Sequence, residues 1–163
     1  MWNVWILAFA VAAAVGDAVW RKIPNKFVLA GLLVGLAYNA FHHQFLSALI
    51  GCGLGFAVGL AVFYFGAIGG GDVKLLMALG ALLGYHRWFT AMEFSILTAA
   101  LIAAVQVFRR RAARQVVHNM GEIARELIRF RPHEVINVGN AAMIRAPFGV
   151  AAAVGTFVAL LVK

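Results

Sequence analysis

An all-α fold, a polytopic bundle of about six transmembrane helices with its N-terminus outside, is predicted by three observations: composition, the spacing of apolar stretches and the sidedness of basic residues. The chain of 163 residues is 64% hydrophobic and only 12% charged, against about 25% charged in an ordinary soluble domain. Its mean hydropathy is +0.90. The apolar residues fall into separate stretches that approach the roughly 20 residues of a bilayer crossing, so lipid must serve as their solvent. The whole chain reads as one membrane domain.

The predicted spans run from Trp2 to Val19, Phe27 to Phe41, Phe45 to Phe65, Val73 to Tyr85, Trp88 to Phe108 and Ala146 to Val162. Met1 to Ala14 carries no basic residue, so the first stretch is read as a retained helix and not as a cleaved signal peptide. The connection Arg21-Lys22-Ile23-Pro24-Asn25-Lys26 reads as a tight turn, Pro24 fixing the backbone and Asn25 tolerating turn geometry. The second and fourth spans are shorter than a full crossing and are expected to pack within the bundle or extend by neighbouring turns. Gly51, Gly55 and Gly59 in the third span, with Gly31/Gly35 and Gly80/Gly84 at the same spacing, predict closely approaching helices. Between residues 109 and 140, Val116, Met120, Ile123, Leu127 and Phe130 recur among arginines and glutamates, which predicts a cytoplasmic amphipathic connector lying on the membrane.

A net charge of +8 in a soluble protein would direct attention to nucleic acid; here membrane topology accounts for it. The first, third and fifth connections hold twelve of the fourteen basic residues, eight of them arginines between 109 and 145, while the other side holds only Arg87 and Lys163. By the positive-inside bias the odd connections are cytoplasmic and both ends are outside. Nucleic acid is therefore not an expected partner, membrane lipid is, and no oligomeric state is specified.

That topology brings Asp17 and Asp72, the two aspartates of the chain, to one membrane face. A carboxylate at membrane depth costs about 2.5 to 3.5 kcal/mol at a helix centre, so it reads as a functional group with a partner to be found. Each has a plain alternative: Asp17 can pair with Arg21 one turn on, and Asp72 can cap the helix that follows it. As a pair they share a site in which two carboxyl groups cannot both ionise cheaply, so a proton is held between them and titration occurs in two separated steps. Such a dyad suits peptide hydrolysis, one member activating water and the other polarising the carbonyl. Glycines 69 to 71 leave room for an extended substrate backbone. The same residues also fit a small ion- or proton-coupled transporter, or a nonenzymatic assembly subunit if the aspartates lie apart.

Elsewhere the residues are less suggestive. The lone Cys52 lies between glycines and reads as packing, His42 and His43 read as solvated loop residues, and no Cys, His or acidic set predicts a metal. No cofactor is expected. Glu122, Glu126 and Glu134 pair locally with Arg125 and Arg129 or receive a basic substrate segment.

Around the aspartates the chain resembles the type IV prepilin and preflagellin peptidases, membrane aspartic proteases of the Gly-x-Gly-Asp type. Asp17 followed by Arg21-Lys22-Ile23-Pro24-Asn25 is similar to the family's first motif, Gly66 with Gly69 to Leu76 and Ala78-Leu79-Gly80 to its second, and Pro147-Phe148-Gly149 to a weaker third. Val19 stands where the family often has a basic residue. Presenilin-like proteases share the short motif but pair it with Tyr-Asp and Pro-Ala-Leu, absent here.

The resemblance implies Asp17 and Asp72 as catalytic residues, with Gly69, Gly70, Gly71, Lys74, Pro24, Asn25, Pro147 and Gly149 supporting them or binding substrate. It also implies an inner-membrane endopeptidase that removes the basic leader of prepilin-like substrates at the cytoplasmic face. Bifunctional members carry a cysteine-rich insertion after the first span, associated with N-methylation. This chain has only Arg21 to Lys26 there and resembles the short, peptidase-only forms that accompany Flp-type pili or archaeal flagellins.

Overall fold

Many large apolar side chains face outward, and alanine and glycine fill much of the interior beside Ile6, Leu75 and Trp88, the packing expected where lipid is as apolar as the core and helices gain by close approach. The computed structural model describes residues 1–20, 24–64, 68–109 and 148–162. Regular structure among them is helical throughout: α1 (Trp2–Trp20), α2 (Asn25–Phe41), α3 (Phe45–Tyr64), α4 (Gly70–Arg109) and α5 (Phe148–Leu161). The predicted amphipathic connector lies outside the described residues.

Three helical stretches are long and apolar enough to cross a membrane, Trp2–Val19, Phe45–Tyr64 and Gly70–Val105, and α2 and α5 are shorter apolar helices. The fourth and fifth predicted spans correspond to two helical arms of α4 that meet at Gly84 and not between Tyr85 and Trp88; the φ of 70° and ψ of 168° of Gly84 fall in a region essentially restricted to glycine. Trp88 Nε1 donates to the Leu76 carbonyl at 3.3 Å, although 12 residues of straight helix would separate the two by about 18 Å. The chain therefore doubles back at Gly84, giving α4 a first arm, 70–83, and a second, 85–109.

The first arm is the centre of the bundle. Leu75, Leu79 and Leu82 are buried there against Ile6 and Ala10 of α1, Trp88 and Ala91 of the second arm, and Ala152 of α5. The glycine spacing of α3 is explained by this contact. A Cβ on Gly51 would strike the Gly80 carbonyl, one on Gly55 the Leu76 carbonyl, and one on Gly59 would lie 3.0 Å from Val73 Cα. Gly35 of α2 similarly faces the backbone of Ala81 at 2.9 Å. Beside it the buried Asn39 amide donates to the carbonyls of Gly35 at 2.9 Å and Ala81 at 3.0 Å, an interhelical polar tie of the kind favoured in lipid.

Helix α2 begins two residues earlier than expected. Pro24 is its N-cap and Asn25 its first residue, so Asn25 is helical and not part of the turn. Proline suits that place because its carbonyl still accepts from Phe27 and Val28 while its missing N–H costs nothing at a helix start. His42 and His43 form the exposed turn before α3, with His43 at φ 57°.

Candidate active site

Each aspartate accepts from a backbone N–H at a helix start, where such groups lack intrahelical partners. Asp17 is near the C-terminal end of α1, half-buried against the first turn of α5. There the Gly149 N–H donates to Asp17 Oδ2 at 2.8 Å, a charge-assisted bond at the positive end of a helix. A Cβ on Gly149 would sit 2.8 Å from Asp17 Cβ and 3.0 Å from Oδ2, so only glycine lets the α5 backbone come this close.

Asp72 is the third residue of α4 and is also half-buried. Its Oδ2 accepts from the Gly69 N–H at 2.9 Å, while its own N–H donates to the Gly69 carbonyl at 3.0 Å. The side chain thus makes the back-reaching half of a capping box, with Gly69, which has no side chain to return the bond, in the cap position. Asp72 is accordingly not the N-cap. It reaches back to the cap, because the helix starts at Gly70, three residues before the Val73 read from sequence.

The fold brings the two carboxylates within electrostatic range of each other. Each is tied through one oxygen to a backbone N–H, and among the described residues the other oxygen has no hydrogen-bond donor and neither group is in an ion pair. Arg21, the alternative partner of Asp17, lies outside the described residues, as do Glu122, Glu126, Glu134 and Pro147. A fixed carboxylate with one oxygen unengaged can hydrogen-bond a water and exchange a proton with it.

The glycines before Asp72 differ from those of the bundle interior. A Cβ on Gly69 would be an ordinary 3.5 Å from Asp72 Oδ2, one on Gly70 would be 3.9 Å from Phe63 Cε2, and one on Gly71 would meet no atom within 4 Å. Among the described residues nothing in the packing requires glycine at 70 or 71, and none of them fills the space over Gly71. Lys74 and Asn25 meet directly, Nζ donating to Oδ1 at 3.0 Å between two exposed side chains. This bond joins the first-motif residues at the start of α2 to the helix that carries Asp72, with Pro24 adjacent. Among the described residues no three His, Cys, Asp or Glu side chains form a group that could hold a metal ion.

Two features have no counterpart in the sequence reading. Phe63 borders the opening at Gly70, and only the fold brings the end of α3 there. Glu93 is an exposed carboxylate within the second arm of α4, and its signal was an acidic residue inside the fifth apolar stretch.

The model of the type IV leader peptidase family matches residues 4–105, a range that holds Asp17, Asp72, the glycine run and the Lys74–Asn25 pair. The prepilin leader peptidase/N-methyltransferase of Bacillus subtilis (strain 168) is 31% identical over 114 residues, which cover 67% of this chain and 46% of that protein. The chain thus spans about half the length of this curated relative. No solved structure matches.

Proposed function

The chain belongs to the type IV leader peptidase family, and from that premise we propose that it is a membrane aspartic endopeptidase cleaving the basic leader from prepilin-like, Flp-type substrates. The observation that carries the reading is that Asp17 and Asp72, the chain's two aspartates, lie within electrostatic range of each other, each with one oxygen unengaged among the described residues.

In the proposed reaction the ionised carboxylate takes a proton from water as the water oxygen attacks the scissile carbonyl carbon. The protonated carboxyl donates a hydrogen bond to the carbonyl oxygen, where negative charge develops. A proton then passes to the amide nitrogen, the C–N bond breaks, and the leader leaves with a new carboxylate. An extended strand laid over Gly70 and Gly71 would approach Asp72 with no Cβ between them.

The proposed orientation places this end of the bundle at the cytoplasmic face of the inner membrane, supported by the twelve basic residues of the odd connections. A substrate with a basic cytoplasmic leader followed by an apolar helix would then present its boundary at the aspartates. The short 21–26 connection supports a peptidase without methyltransferase activity, and S-adenosylmethionine-dependent methylation of cleaved pilin by the pure protein would refute that.

The deciding experiment incubates purified Asp17→Asn and Asp72→Asn proteins with a prepilin substrate in detergent. Each change removes cleavage while the helical fold and thermal transition persist. Normal processing by either variant sinks the dyad.

A further inference from the structure

Gly51, Gly55 and Gly59 let α4 close on α3, and Phe63 stands next on the same four-residue register. Positions four apart share one face of a helix, so this ring lies where the glycine groove ends. It reaches the start of α4: a Cβ on Gly70 would lie 3.9 Å from Phe63 Cε2, an ordinary contact. Gly70 precedes Asp72 by two residues, about 3 Å along the helix axis. The bond from the Gly69 N–H at 2.9 Å folds the Asp72 carboxyl back towards the same rim. Phe63 is nevertheless 43% exposed, and among the described residues no atom lies within 4 Å of a Cβ built on Gly71. Ring and carboxylate therefore border one opening, apolar on the side of α3 and acidic on the side of α4.

We propose that Phe63 determines specificity, its exposed face receiving the apolar side chain that follows the scissile bond in a prepilin-like substrate. This assignment rests on the proposed peptidase reaction. A strand held within reach of Asp72 passes Gly70 and Gly71, and successive side chains of an extended strand point to opposite sides. One of the two residues flanking the scissile bond then turns towards Phe63. Leu60 and Phe56, three and seven residues before the ring on one side of α3, are 46% and 47% exposed and carry the apolar surface on into the bilayer. The transmembrane half of a substrate lies along that surface, so the residue on its side of the bond is the one that meets the ring and gains by leaving water.

The test is cleavage by the full chain in detergent of a prepilin series that differs only in the residue after the scissile bond. Wild type prefers large apolar side chains to alanine or serine by roughly tenfold in kcat/KM, the low end of what an apolar contact discriminates. Phe63→Ala removes most of that preference by raising KM for the large apolar substrates alone, and Phe63→Leu keeps part of it. Phe45→Ala, similarly exposed at the far end of α3, behaves as wild type. In an inactive Cys52→Ser/Asp72→Asn background, Phe63→Cys forms a disulfide with a substrate cysteine after the scissile bond and not with one before it; this arm decides the matter if Phe63→Ala does not fold. Equal loss on every substrate, unchanged selectivity of a folded Phe63→Ala, or linking before the bond overturns the subsite while leaving the peptidase reaction standing. Failure of wild type to cleave any prepilin overturns the peptidase reaction and the subsite with it.

Discussion

The Gly149 amide and Asp17 Oδ2 are 2.8 Å apart although 132 positions separate the two residues, so the start of α5 holds one carboxylate of the proposed dyad. A methyl group at Gly149 would lie 2.8 Å from Asp17 Cβ, and either α5 or the aspartate must move. Displacements of about 1 Å at reacting groups cost on the order of a hundredfold in rate. Gly149→Ala is therefore expected to lower kcat steeply with little change in KM, while a thermal shift reports an overpacking loss of about 1 to 3 kcal/mol. Wild-type turnover in this variant would show that Asp17 does not need its place beside α5.

Glycines of two kinds should respond oppositely to alanine. A Cβ on Gly80 collides with the Gly51 carbonyl, so Gly80→Ala should separate α3 from α4 and destabilise the protein by about 1 to 3 kcal/mol. Gly71 has open space around it, and alanine there should raise stability by about 0.4 to 1 kcal/mol by restricting the unfolded chain. The same methyl would intrude on a substrate strand, raising KM with the fold intact. Unfolding transitions and cleavage kinetics of both variants check this, and an unchanged KM in Gly71→Ala would remove the glycine run from substrate binding.

Much of this architecture was legible because membrane packing leaves coarse marks. Apolar stretches and the sidedness of arginine brought Asp17 and Asp72 to one end, and the spacing of Gly51, Gly55 and Gly59 marked the groove that receives α4. Hydropathy put the break between Tyr85 and Trp88, next to the reversal, but could not name Gly84, because the cause is one backbone dihedral. The Gly80/Gly84 spacing marked a close approach, since a Cβ on either would strike α3, at Gly51 or at Ser47, but it carried no sign of the reversal that Gly84 also makes. The tie from Gly149 to Asp17 and the buried amide of Asn39 depend on which helices become neighbours, information that no local pattern carries.

Lys74 and Asn25 form an exposed hydrogen bond between two helix starts, so its worth is bounded by solvent competition to roughly 1 kcal/mol or less. If the pair positions Asp72 relative to the first motif, Lys74→Met and Asn25→Ala should each reduce kcat/KM modestly, and the double variant should lose no more than the worse single one. A double-mutant cycle on cleavage measures the coupling. Strict additivity would mean that each side chain acts separately, for instance on the substrate.

Gly84 should be the least replaceable residue for folding. Its φ of 70° and ψ of 168° are inaccessible to ordinary side chains, and such backbone strain costs about 1 to 3 kcal/mol at a non-glycine residue. A Cβ there would also fall 2.6 Å from Ser47 Oγ at the start of α3. Relief by straightening would pull Trp88 from the Leu76 carbonyl and strip the first arm of its cover, so the two penalties cannot be escaped separately. Gly84→Ala is expected to lower the thermal transition strongly. Adding Ser47→Gly removes the side-chain collision and should restore only part of the loss, the remainder measuring the dihedral itself; full recovery would assign the whole requirement to the contact with Ser47.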